Sequence, residues 1–243
     1  MNTMNDTESF FDIVKARRSV RIFDQEAPFN HDSVQKALEA SILSPNSSNL
    51  QLYQFIRIPE NSPIKDPLAQ LCMRQKAATT ARELVVVVTR RDAWKSRAEA
   101  NYEYIQEATQ NQSDKKKKQA LNYYGNLIPK LYRKFPGWSL IKQGIALFVG
   151  FNRPMVREVS EADVRVSVHK SAALAAMTFM LGMKSEGYDT CPMEGYDSKR
   201  VKKLLKLTKG SEISMIIGCG KGLPEGIYGD RFRVETQKLI IQK

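Results

Sequence analysis

The chain has 243 residues, and its 38 lysines and arginines against 26 aspartates and glutamates give a formal net charge of +12. This length corresponds to one large domain, or to one domain with an insertion. With 42% apolar and 26% charged residues, the composition excludes collagen, a coiled coil and wholesale disorder. No apolar run approaches the ~20 residues of a membrane helix, and the first residues lack the pattern of a signal peptide. We therefore expect a cytoplasmic protein that does not contact a membrane.

The few cysteines and histidines argue against a disulfide framework and against a metal centre. Cys72, Cys191 and Cys219 are far apart and form no C-x-x-C pair, which is typical of reduced thiols. His31 and His169 are too few to build a zinc or iron site. The sequence predicts a metal-free protein, with Cys191 as a packed small residue rather than a redox thiol.

The first third of the chain alternates helical and extended patterns. Residues 1–8 are polar, and we expect them to be frayed. A helix is predicted from Phe10 into the basic cluster Arg17–Arg21, and a second one begins at Asp32 or Ser33 and stops at residues 44–46. The alternating segment 53–58 is a predicted strand.

The remaining elements complete an α/β or α+β pattern. A helical stretch over 66–79 precedes Leu84–Val88, which predicts a central strand covered on both faces. We expect residues 92–142 to form a two-helix excursion, in which Lys115–Lys118 is solvated, and Ile145–Phe151 to be a buried segment. A helix over Val168–Glu186 closes at Gly187, and a strand over 214–220 precedes a long extension to Lys243.

The usual motifs of nucleotide and hydrolytic sites are missing from the sequence. There is no G-x-x-x-x-G-K-[ST], no H-E-x-x-H and no G-x-S-x-G. Gly218–Gly222 lacks the G-x-G-x-x-G spacing. With no obvious nucleophile–base pair, the reactivity of an enzyme with this sequence would belong to a bound cofactor.

Two arginine pairs lie at opposite ends of the chain. Arg17 and Arg21 are four apart at a predicted helix end and would face one direction. Arg231 and Arg233 are two apart in an extended stretch and would also share a face. The spacing suggests one phosphate held jointly by guanidinium forks. Two separate solvated charge clusters are the alternative.

Five segments, in this order, resemble motifs of the FMN-dependent nitroreductase family. Arg17-Arg18-Ser19-Val20-Arg21 is similar to the family's R-x-S-x-[RK], and the segment 44–53 to its P-S-x-x-N-x-Q-P-W. Gln75 stands at the spacing of a family glutamine. Residues 191–197, Cys-Pro-Met-Glu-Gly-Tyr-Asp, are close to P-[IM]-E-G-[FY]-D, and 231–233 falls where the family ends in [KR]-x-R. The resemblance spans nearly the whole chain.

The resemblance implies a single α+β domain over 1–243, with a mixed central sheet sandwiched by helices. It also implies an intertwined homodimer, whose C-terminal extensions embrace the partner and whose two FMN sites lie at the interface. The residues implied to contact the flavin phosphate and ribityl chain are Arg17, Arg18, Ser19, Arg21, Arg231 and Arg233. Those implied to contact the ring from the other subunit are Pro45, Asn46, Ser47 and Asn49. Those implied to lie around the ring and its edge are Gln75, Pro192, Met193, Glu194 and Gly195, with the Glu194–Gly195 backbone near N5.

The function implied is a two-electron transfer from NAD(P)H to a nitroaromatic, quinone or other flat aromatic acceptor by a ping-pong mechanism. The excursion would form a substrate-facing lid, or its aromatic residues would be the core of a helical pair. A dehalogenase or flavin-fragmenting enzyme on the same fold is the nearest alternative. A basic module that binds nucleic acid or another polyanion is a different-class alternative suggested by the net charge. The arginines do not form one continuous basic stripe, which favours a protein without nucleic-acid partners.

Overall fold

The computed structural model describes residues 10–108 and 113–243. The expectation of a frayed start over residues 1–8 lies outside this part of the chain. The helices are α1 (Phe10–Ala16), α2 (His31–Ser41), α3 (Lys65–Leu71), α4 (Lys76–Thr79), α5 (Trp94–Ala108), α6 (Asp114–Asn122), α7 (Ile128–Tyr132), α8 (Trp138–Asn152), α9 (Glu161–Ser185), α10 (Ser198–Leu204) and α11 (Thr236–Leu239). The strands are β1 (Phe23–Asp24), β2 (Tyr53–Pro59), β3 (Glu83–Thr89), β4 (Asp189–Met193) and β5 (Glu212–Gly222).

Strand β5 organises the five-stranded sheet. It pairs with β3 along one edge and with β4 and β1 in succession along the other, while β2 pairs with the far side of β3. All these ladders are antiparallel, and a parallel bridge between Ser19 and Thr190 gives the sheet its mixed character. The architecture is therefore the predicted α+β class, a sheet between helices.

Strand β3 confirms the prediction of a central strand covered on both faces. Leu84 and Val86 pack with Leu68 and Ala78 in one hydrophobic cluster, whereas Val85 and Val87 pack with residues of α2 and α9 on the other side. The alternation follows from the period of two along a strand. All seven residues of β3 are buried, and the five between Glu83 and Thr89 form the continuous apolar run that covers both faces.

Helix α9 begins seven residues before the predicted start at Val168. Ser160 accepts from the Asp163 backbone N–H, and the Asp163 carboxylate accepts from the Ser160 backbone N–H, so the start is a capping box. The end at Gly187 (φ +81°) is as predicted. In the described part of the chain, α9 is also the one helix whose length and apolar composition would suffice to cross a membrane. Since Ala172 and Phe179 are fully buried in the core, packing against the sheet explains this apolar character.

Three other boundaries differ from the sequence predictions. Helix α2 is capped by Asn30, whose side chain accepts from the Asp32 N–H, rather than by Asp32 or Ser33, and it ends at Ser41. The stretch 66–79 is two helices, because Met73 (φ +58°) and Arg74 (φ +51°) turn the backbone out of the helical region.

The excursion is larger than the predicted pair of helices. It contains α5, α6, a π-helical turn over Tyr123–Leu127, α7 and α8. Lys115–Lys118 lies in the first turns of α6 on the surface, as expected. The predicted buried segment Ile145–Phe151 is wrong for the single chain, because it belongs to α8 and exposes 73% of Phe148 and 84% of Phe151. An apolar surface of this kind is typical of an interface.

Candidate functional site

The two distant arginine pairs meet in one small cavity of about 150 Å³. Arg231 donates to the Arg17 carbonyl oxygen at 2.6 Å, and Arg18 donates to the Gly229 carbonyl oxygen at 2.9 Å. The Arg21 guanidinium lies 4.8 Å from the centre of the Tyr228 ring. The cavity is lined by Arg17, Arg18, Ser19, Arg21, Tyr228, Asp230, Arg231, Phe232 and Arg233. We call the five arginines of this set the arginine cluster.

The arginine cluster carries more positive charge than its single acid, Asp230, can balance. The pKa of the Arg17 guanidinium is lowered, first by burial and then by repulsion from Arg231, Arg233 and Arg18. Like charges at close range destabilise the folded state. A bound dianion would remove that repulsion and accept several charge-assisted hydrogen bonds.

The physical reason for the convergence differs from the predicted one. Helix α1 ends at Ala16, so Arg17 and Arg21 do not share a helical turn. Residues 17–21 run alongside β4, where the Val20 N–H donates to the Thr190 carbonyl oxygen at 3.1 Å. Alternation along this extended segment turns Val20 into the core and leaves Ser19 and Arg21 on the cavity side. Arg18 also lines the cavity, where it contacts the Gly229 carbonyl oxygen.

Strand β4 links the arginine cluster to the segment Pro192–Gly195. Pro192 and Met193 pair with Ile217 and Ile216 in the sheet, and Met193 is buried. Glu194 and Gly195 follow the strand and are exposed. A Cβ on Gly195 would lie 3.2 Å from Gln75 Nε2. Gln75 therefore fills the space where a side chain at position 195 would lie, while Gly195 itself remains exposed.

Gln75 has a fixed amide orientation. Its Nε2 donates to the Gly195 carbonyl oxygen at 2.8 Å and to the Cys72 carbonyl oxygen at 3.0 Å. Because both partners are acceptors, the nitrogen must face them and Oε1 must face away. Among the described hydrogen bonds none uses Oε1, so this oxygen can accept from a ligand N–H or O–H.

The segment 44–51 forms a strained loop. Three residues that are not glycine have positive φ, Ser48 (+56°), Asn49 (+49°) and Gln51 (+48°), a conformation that surrounding contacts must maintain. Asn46 Oδ1 accepts from the Gln51 N–H at 2.8 Å, and the Ser47 N–H donates to Ser171 Oγ at 3.1 Å. Pro45, Ser47 and Asn49 are exposed.

Contacts from the excursion, which the sequence analysis missed, hold this loop. The Tyr124 hydroxyl donates to the Ser48 carbonyl oxygen at 3.0 Å, the Tyr123 hydroxyl lies 2.6 Å from Ser48 Oγ, and Asn49 donates to Asn101 at 2.9 Å. The two adjacent tyrosines reach one residue because they begin the π-helical turn. The nearest sequence signal is the Tyr-Tyr-Gly run, which by itself does not specify a partner.

Replacing Tyr124 with phenylalanine is expected to loosen the loop without unfolding the protein. The variant loses one hydrogen bond of about 1 kcal/mol, which corresponds to about fivefold faster local amide exchange in residues 44–51. Hydrogen–deuterium exchange measures this change. Tyr104→Phe is the control, because Tyr104 is 70% exposed. Equal exchange in the two variants would contradict a role for the Tyr124 hydroxyl.

Within one chain the candidate residues form two groups. The arginine cluster, Gln75 and residues 192–195 lie together along β4, whereas none of the described hydrogen bonds joins the loop 44–51 to them. The three cysteines are buried and unpaired with one another. Burial raises the pKa of the Cys72 thiol to about 11 and also raises that of Cys191, which supports Cys191 as a packing residue.

The fold and these motifs match known proteins. The family model described as Nitroreductase family matches residues 14–221, and the chain belongs to that family. It is 27% identical over 216 residues to protein DrgA of Synechocystis sp., covering 87% of this chain and 83% of DrgA. It is 23% identical over 230 residues to the oxygen-insensitive NADPH nitroreductase of Helicobacter pylori, covering 93% of each. A nitroreductase-like protein from Exiguobacterium sibiricum, solved in complex with FMN, has the same fold with a TM-score of 0.66 at 21% identity, covering 99% of this chain and 100% of that one.

Proposed function

We propose that this protein is an FMN-dependent oxidoreductase that transfers two electrons from NAD(P)H to a flat organic acceptor such as a nitroaromatic or a quinone. The observation that carries the proposal is the arginine cluster, which unites residues 17–21 with residues 231–233 around a cavity beside β4. Family membership and the NADPH-dependent relative support the choice of reaction.

The residues fit a flavin mononucleotide. The arginine cluster, with Ser19, would hold the phosphate, because guanidinium forks make charge-assisted bonds to its oxygens. Gln75 Oε1 would accept a hydrogen bond from the ribityl chain or the ring edge. At Gly195 the missing Cβ leaves room for the Gln75 amide against the backbone, and a backbone N–H of the exposed Glu194–Gly195 segment would donate to N5. When bound, the flavin supplies the two-electron chemistry.

The complete site would need two protomers. The loop with Pro45, Asn46, Ser47 and Asn49 would reach the ring held by the partner, since within its own chain it is attached to the excursion. The exposed apolar residues of α8 and of the C-terminal extension, residues 223–243, support a homodimer. These include Leu140, Ile141, Ile145, Leu147, Phe148, Phe151, Phe232, Leu239, Ile240 and Ile241.

The excursion would cover the acceptor side as a lid. Its aromatic residues would have two roles, packing and contact with the acceptor. Tyr132 is 2% exposed and packs in the core of the excursion. Tyr123 is partly exposed beside the loop 44–51, where its ring would stack on a flat acceptor. One open face for both donor and acceptor predicts ping-pong initial-rate patterns.

An anaerobic titration tests the proposal. The purified protein is expected to carry yellow flavin absorbance that bleaches with NADPH or NADH and returns with a nitroaromatic or quinone. Gel filtration with light scattering is expected to give twice the mass of the chain. A protein that does not bind added FMN, or whose bound flavin is not reduced by either donor, would overturn the proposed function.

A further inference from the structure

A second cationic cavity lies at the other end of the sheet. It is a groove of about 700 Å³ between the start of the excursion and the segment that joins α10 to β5. Strand β5 begins at Glu212 in this groove and ends at Gly222 near the arginine cluster. Eleven strand residues span roughly 33 Å at about 3.3 Å per residue, so the groove is separate from the cavity of the arginine cluster.

The two walls of the groove are fixed to each other. Thr208 donates to Asp92 Oδ2 at 2.7 Å. A Cβ on Gly210 would come within 2.7 Å of Asp92 Cβ, so the two chain segments pack in direct contact. The groove therefore exists before any ligand binds.

Its acidic groups are already neutralised, whereas most of its cations are not. Asp92 pairs with Arg90 at 3.0 Å, and Glu212 pairs with Arg165 at 2.6 Å and lies 3.2 Å from His169. Arg91 is paired with Glu161. Four further cations line the groove without an acidic partner among the described residues, namely Arg133, Lys134, Lys202 and Lys209.

An aromatic wall accompanies these cations. Trp94 and Tyr132 both line the groove, and their rings stack with centroids 6.2 Å apart at an interplanar angle of 22°. Trp94 is half-buried, so part of its indole remains accessible. Cations beside an accessible aromatic face are the combination that binds nucleotides, the cations contacting phosphate and the indole contacting a base.

We propose that this groove binds a free nucleoside polyphosphate at a site independent of the flavin. Lys202 and Lys209, on one wall, and Arg133 and Lys134, on the other, contact the phosphates, and the base packs on Trp94. The ligand lies between two parts of the chain, the α10–β5 segment and the excursion.

Calorimetric titration of ATP into FMN-saturated protein tests the site, because FMN then occupies the arginine cluster. The double variant Lys202→Gln, Lys209→Gln is expected to bind ATP about 10-fold or more weakly, since two charge-assisted contacts are lost. Lys199→Gln, Lys203→Gln is the matched control, because both lysines are exposed on α10 and neither lines the groove. The control is expected to bind ATP as the unmodified protein does.

Tryptophan fluorescence locates the base. The chain has two tryptophans, so the Trp138→Phe variant reports on Trp94 alone. ATP is expected to quench the fluorescence of Trp94, and tripolyphosphate, which has no base, is expected to leave it unchanged. Absence of ATP binding, equal loss in the two double variants, equal affinity for tripolyphosphate, or much tighter binding of a single-stranded oligonucleotide would each overturn the proposal. Flavin absorbance recorded in every variant keeps this outcome separate from that of the proposed function.

Discussion

Arg17→Ala and Arg233→Ala, made singly, are each expected to weaken FMN binding about 10- to 100-fold. Each substitution removes a charge-assisted contact to phosphate worth about 1.5–3 kcal/mol. The fold should persist, because the Arg17 carbonyl that accepts from Arg231 belongs to the backbone and survives the Arg17 substitution. Fluorescence titration of the apoprotein with FMN gives the dissociation constants.

The apoproteins of these variants should not be less stable than the unmodified apoprotein. Repulsion from Arg231, Arg233 and Arg18 contributes to the lowered pKa of Arg17, so removing one arginine relieves an unfavourable interaction of the folded state. Arg200→Ala is the matched control, since Arg200 is 75% exposed and outside the arginine cluster. Unchanged FMN affinity in both cluster variants would contradict the assignment of the phosphate site.

Replacing Glu83 with alanine is expected to lower the free energy of unfolding by about 3–5 kcal/mol, because it leaves a partly buried cation without its partner. Glu83 has a fully buried side chain on the central strand, and it accepts from Arg57 Nε at 2.7 Å and contacts His31 Nδ1 at 2.6 Å. The hydrogen bond with Glu83 is also the largest cause of the raised pKa of Arg57. Urea unfolding of the FMN-saturated proteins measures the difference.

Glu99 provides the comparison for Glu83. It pairs with Lys95 on α5 at 3.8 Å, and the two side chains are 59% and 76% exposed. Exposed ion pairs contribute about 0–1 kcal/mol, so Glu99→Ala should have little effect on unfolding. A loss below 1 kcal/mol for Glu83→Ala would contradict the view that the buried carboxylate compensates the charge of Arg57 within the core.

The local elements were predictable where one short-range signal dominated. The apolar, β-branched run of β3 indicated a strand buried on both faces, and Gly187 indicated the end of α9 through its left-handed conformation. Two predictions failed for different reasons. The start of α9 was missed although the Ser160–Asp163 capping box is a local signal, whereas the break at Met73–Arg74 has no glycine or proline that would indicate it.

The predicted burial of Ile145–Phe151 failed for another reason. Apolar composition indicates that a surface will be covered, but it does not say whether the cover comes from the same chain or from another one. In the single chain the segment lies on an exposed helix. The proposed homodimer would cover this segment, so its apolar composition is accounted for by a second chain and not by the fold of one chain.

The sequence by itself determined the family and the α+β class, because five motifs follow one another in the family's order over most of the chain, and it predicted the residues of the candidate cofactor site. Tertiary structure decided how those residues meet. Arg17 and Arg231 converge through backbone pairing along β4 and a carbonyl contact, not through a helical turn. Likewise, Tyr123 and Tyr124 hold the loop at Ser48 from 75 and 76 residues away. Contacts over such separations depend on how the whole chain packs, which no local spacing specifies.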